Sequence, residues 1–174
     1  MTDLSKGIVE IDNFEIGPDT TQDKFEQHFK NRFLKSVNKY NNSISTFYYN
    51  GYAGLFADFD DSVHTTIQIN GMTFINIVVD FENEKIRGIQ LISNLQSYAI
   101  GARGEKIYSP QKEKECYDVL LDWAIVCHGT PNNNRNHSST SWNFGWGCFR
   151  PTPCSPHGAS TNVLLVEYGK DYRA

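Results

Sequence analysis

The pair Asn70-Gly71 lies between two runs of strand-like polarity: Val63, Ile67 and Ile69 alternate with polar neighbours before it, and residues 72–81 follow. Asn and Gly tolerate positive φ at both central positions of a tight turn, so the flanking runs must fold back on each other as antiparallel neighbours. A second hairpin turns at Glu82-Asn83-Glu84 and returns through Ile86, Ile89 and Leu91. Apolar parity changes between Ile86 and Ile89, which marks a bulge at Gly88. The middle of the chain is therefore a β-meander. Residues 45–49 and 52–59 carry the aromatic density of strands, and residues 7–16 read as an opening strand or strand pair. Residues 142–149 and 162–168 are the last two strand candidates, with a loop at 150–160 between them.

Two segments have helical spacing instead. Phe25, Phe29, Phe33 and Val37 recur every four residues behind the turn Gly17-Pro18-Asp19, which predicts a helix near residues 20–38 capped by Thr20 or Thr21. Ser109-Pro110 opens a second helix over 110–128, closed by His128 and Gly129. Its stripe is Cys116, Val119, Leu120, Trp123, Val126 and Cys127. The expected fold is a single α+β domain over residues 1–174. It has a mostly antiparallel sheet and two amphipathic helices packed on one face, because each helix has only one apolar stripe to bury. The other face, rich in Tyr, Asn and acidic residues, is left open to solvent or a partner.

Composition excludes several functions. There are 16 Lys plus Arg against 20 Asp plus Glu, for a net charge of −4, which argues against a dedicated nucleic-acid binder. No apolar run approaches the roughly 20 residues of a membrane span, and residues 1–7 lack the basic start and apolar stretch of a secretory signal. The expected location is the cytoplasm, where Cys116, Cys127, Cys148 and Cys154 are thiols rather than disulfides.

Four groups of residues were weighed for chemistry. Asp58, Asp60 and Asp61 with His64 have oxygen ligands for a hard cation, but not the glycine and distal glutamate of an EF-hand loop. A solvated turn, or an acidic patch for a basic protein, accounts for them without special geometry. Cys148, Cys154 and His157 offer zinc ligands, and Cys127 or His128 could complete the set, yet the close cysteine pair of common zinc modules is missing. The same cysteines beside His128, His137 or His157 could act as nucleophiles, though no catalytic signature surrounds them. Asp80-Phe81-Glu82-Asn83-Glu84-Lys85 has the wrong spacing for a metal-dependent nuclease and fits a charged hairpin tip. No catalytic residue, metal or cofactor is expected. Tyr48, Tyr49, Tyr52, Trp142 and Trp146 are aromatic candidates for partner contact.

The element order carries a resemblance. A strand leads through Gly17-Pro18-Asp19-Thr20-Thr21 into an aromatic-faced helix, then a meander bearing Val79-Asp80-Phe81, Lys85-Ile86 and Gly88-Ile89-Gln90-Leu91. A second helix follows, then Trp142, Trp146-Gly147 and Val163-Leu164-Leu165-Val166-Glu167-Tyr168. This pattern resembles small bacterial immunity proteins of polymorphic or contact-dependent toxin systems. The resemblance implies a cytoplasmic inhibitor that neutralises a cognate toxin by binding it. Acidic charge suits a basic toxin, with Asp58, Asp60, Asp61, Glu82 and Glu84 as the expected contacts. The alternative is a small enzyme or zinc-binding module using the Cys148, Cys154 and His157 loop.

Overall fold

The computed structural model describes residues 1–55, 59–134, 140–153 and 161–169. A short 3-10 turn, Leu4–Lys6, precedes the hairpin of β1 (Val9–Ile11) and β2 (Phe14–Ile16). Helix α1 (Gln22–Phe29) leads to β3 (Leu34–Val37) and β4 (Ile44–Tyr48). Then come β5 (Ile67–Ile69), β6 (Met72–Glu82), β7 (Lys85–Gln96) and a separate ribbon of β8 (Tyr98–Ile100) and β9 (Lys106–Tyr108). Helix α2 (Pro110–His128) is followed by β10 (Asn133–Asn134), β11 (Thr140–Phe144), β12 (Gly147–Thr152) and β13 (Thr161–Tyr168).

Among the described residues the main sheet runs β3-β4-β6-β7-β13-β12-β11-β10, with β5 pairing β6, and every ladder is antiparallel. The class is α+β. The path is a meander as far as β7, after which β13, the last strand, inserts between β7 and β12. Asn70-Gly71 turns with φ of 47° and 82°, and Asn83-Glu84 with 50° and 65°. Both hairpins thus take the twist-matched turn that positive φ permits.

The buried residues of both helices share one core with alternate residues of the central strands. Phe25, Phe29, Leu120 and Ala124 join Ile77, Val79, Phe81, Ile89, Leu91, Leu164 and Val166. The Phe25 ring lies 5.1 Å from Phe47 and 5.4 Å from Phe81. A smaller cluster, Tyr48, Leu55, Ile75, Val78, Ile92 and Val163, is formed by intervening strand residues, with Phe59 packed against it.

Several elements differ from the sequence reading. The first helix ends at Phe29, where Lys30 turns to φ 48° and its N–H bonds Glu26 O. Leu34–Val37 is a strand because β4 supplies its hydrogen bonds. Phe33 still reaches the core, its ring 4.9 Å from Phe25 and from Phe29. The second helix has its expected ends, but its buried line is Leu120 and Ala124, whereas Val119 and Val126 are 50% and 85% exposed. Residues 142–149 form a hairpin, β11 to β12, rather than one strand. Residues 51–55 are turns, held by hydrogen bonds from their own backbone and from Asn76.

Candidate polar groove on the sheet

Two rows of residues cross the strands on the face opposite the larger core. One row aligns Ser36, Thr46, Asp80, Gly88, Glu167 and Cys148. The next aligns Tyr48, Val78, Gln90, Leu165 and Arg150. Period-two alternation explains why these positions are polar while their neighbours are apolar: Val79, Ile89, Leu164 and Val166 point the other way, into the core. The rows line a groove of about 470 Å³.

Its floor is set by a bulge. Asp80 pairs with Gly88 but Phe81 pairs with Ile86, so Arg87 is an extra residue in β7. A bulge re-aims side chains locally, and here Arg87 joins the groove lining beside Gly88. A Cβ on Gly88 would lie 2.8 Å from Val166 O, so close approach of β13 requires glycine there. The missing side chain also leaves a gap in the row between Asp80 and Glu167.

The carboxylates beside that gap are held by neighbours. Thr46 Oγ1 donates to Asp80 Oδ1 at 2.6 Å, and Gln90 Nε2 reaches Asp80 Oδ2 at 3.5 Å. Arg150 Nε donates to Glu167 Oε2 at 3.3 Å, and the Cys148 thiol lies 3.8 Å from the same oxygen. Burial, with help from Asp80 and Tyr52, pushes the Tyr48 hydroxyl up to about 12, so it stays a neutral donor. Arg87 is exposed and forms no ion pair among the described residues.

The other end of the same face is roofed. Asn76, fully buried, donates from Nδ2 to Gly51 O and Ala53 O at 3.0 and 2.8 Å, and its Oδ1 accepts the Asn50 N–H at 3.0 Å. Asn50 Nδ2 in turn donates to Thr65 O and Ile75 O. This clamp fixes the turns over the smaller apolar cluster, and the roof stops short of the Asp80 row.

The acidic residues read from the sequence bracket this face and do not converge. Glu82 is two residues beyond Asp80, so it shares that face, paired with Ile44, which also lines the groove. Glu84 is in the hairpin turn, its carbonyl accepting the Gln22 N–H. Asp60 and Asp61 follow Phe59 at the roofed end. Seven residues of β6 from Ile75 to Glu82 separate the two acidic groups by roughly 20 Å. Asp60 accepts from the Ser62 N–H and hydroxyl, which holds its carboxyl below the usual range. Asp58 lies outside the described residues, as do His137, Cys154 and His157. Cys148 is buried at 3% exposure on β12. Among the described residues, no three His, Cys, Asp or Glu side chains are placed to hold a metal ion.

Of the aromatic candidates, Trp142 is buried and stacked on Phe149 at 4.9 Å. Trp146 packs against Gly7 and Tyr168, with Nε1 donating to Ser5 O. Tyr48 is buried beneath the groove wall, and Tyr52 is 51% exposed. Sequence reasoning marked Gly88 as a bulge but missed Arg87, Gln90, Arg150 and Glu167, whose convergence depends on β13 lying beside β7. The Gly88 parity change was the available signal.

Compared with known protein families, curated proteins and solved structures, the chain matches none of them. No helix among the described residues is long and apolar enough to cross a membrane.

Proposed function

We propose that this protein is an inhibitor that neutralises a cognate toxin domain in the bacterial cytoplasm by binding it, with no catalysis of its own. In this reading both helices cover one sheet face and leave the opposite face as the contact surface. The observation that carries it is the recessed groove over Gly88, with fixed charges on its walls and no roof, beside a half of the same face that is firmly roofed.

The distribution of acid supports the reading. Glu82 and Glu84 are at one end of the face and Asp60 and Asp61 at the other, and the chain carries −4 overall. Carboxylates in this position accelerate encounter with a basic surface without first being desolvated. The fixed side chains between them suit a partner that docks without large rearrangement.

Co-expression with toxin domains, beginning with any encoded beside its gene, is the test. Restored growth together with a stoichiometric complex supports the reading, and failure to neutralise any of them sinks it. Association should slow as salt rises and in the variants Glu82→Gln and Glu84→Gln. A neutralising complex indifferent to both would remove the acidic residues from the contact.

A further inference from the structure

Resting on the reading of the open face as the contact surface, we propose that the groove over Gly88 receives an acidic side chain of a protein partner. The Arg87 guanidinium holds that carboxylate, and two basic groups of the partner flank it to meet Asp80 and Glu167.

The charge order across the strands is the basis. Asp80 on β6, Arg87 at the β7 bulge and Glu167 on β13 read negative, positive, negative along one line. Strand spacing of about 4.8 Å puts the outer two backbones roughly 10 Å apart, with the side-chain-free Gly88 between them. Each carboxylate is already oriented from within the sheet, Asp80 by Thr46 and Glu167 by Arg150. Arg87 alone has no ion pair, although it stands between two carboxylates. Its planar fork matches a carboxylate in a two-bond geometry, and arginine is favoured at the energetic centre of interfaces. A phosphate would meet Asp80 and Glu167 as like charges on both sides, so a carboxylate bracketed by cations is the better complement.

Nuclear magnetic resonance on the full chain tests this with three probes: the capped peptide Lys-Asp-Lys, its inverse Asp-Lys-Asp, and inorganic phosphate. The expected result is a saturable shift of the Arg87 and Gly88 signals with Lys-Asp-Lys, at millimolar affinity. Arg87→Gln should weaken it about tenfold, and Arg87→Lys should restore only part. Arg87 is exposed, so both variants should keep the wild-type spectrum elsewhere. Equal or tighter binding of the inverse peptide or of phosphate would overturn the proposal. So would unchanged affinity in Arg87→Gln, or no saturable shift up to about 20 mM. The measurement needs no toxin, so its failure leaves the inhibitor reading standing, and a failure to neutralise toxins leaves this result standing.

Discussion

Asn50 and Asn76 interlock through backbone and side chain: the Asn50 N–H donates to Asn76 Oδ1 at 3.0 Å, while Asn50 Nδ2 donates to the carbonyl of Ile75 at 2.7 Å. The pair fastens the 50–55 turns to β6 and so determines where the roof over the sheet ends.

Replacing Asn76 with Leu should therefore be costly despite the gain in apolar character. It leaves Asn50 N–H, Gly51 O and Ala53 O without their partner in a buried site. Unsatisfied buried groups cost about 1–3 kcal/mol each, partly relieved by water. A loss of about 3 kcal/mol is expected in urea unfolding, and a loss under about 1 kcal/mol would show that the clamp does not hold the turns.

Gly147→Ala should be more damaging than Gly88→Ala. Gly147 has φ 150°, and an added Cβ would lie 1.9 Å from Glu167 O, against 2.8 Å from Val166 O at Gly88. Backbone on both sides cannot yield as a flexible side chain does. Midpoints of thermal unfolding would rank the two, and the reverse order would contradict the close packing of β12 on β13.

The two sides of α2 should respond differently to substitution. Leu120→Ala removes a fully buried side chain and should cost about 3 kcal/mol. Val126→Ser, at 85% exposure, should change stability by under about 0.5 kcal/mol. Similar losses at both positions by denaturant titration would restore the wider stripe read from the sequence.

Stability should fall on mild acidification because of His128. Burial lowers its pKa from 6.5, Asp3 opposing, and its Nε2 is buried without a hydrogen-bond partner. The folded chain then binds fewer protons than the unfolded chain, so stability rises with pH across that window. The contribution is fully present above the unfolded value and is lost as pH drops below about 6.5 toward the folded value. Asp3, Glu26 and Asp60, held low by Ser5, Lys35 and Ser62, act only in stronger acid. Urea midpoints between pH 7.5 and 5 should show the slope in the wild type, and His128→Phe should flatten it. A slope unchanged in that variant would exclude His128 as its source.

What the sequence determined by itself was local. Asn70-Gly71 and Asn83-Glu84 allow positive φ, Ser109-Pro110 caps a helix and Gly129 ends it, and these preferences act over a few residues whatever surrounds them. The Gly88 bulge was legible for the same reason, because a shift in apolar parity is written along one strand. Leu34–Val37 was not, since helical spacing fitted it and only hydrogen bonds from β4 make it a strand. The Val119 and Val126 positions looked like core because a helix has an apolar side before it has a neighbour, and the sheet covers only the line through Leu120 and Ala124. The groove belongs wholly to tertiary structure. Thr46, Asp80, Gly88 and Glu167 lie far apart in the chain and form one row only when β13 enters between β7 and β12. Strand order is decided by the summed burial of whole faces, and no local residue preference encodes it.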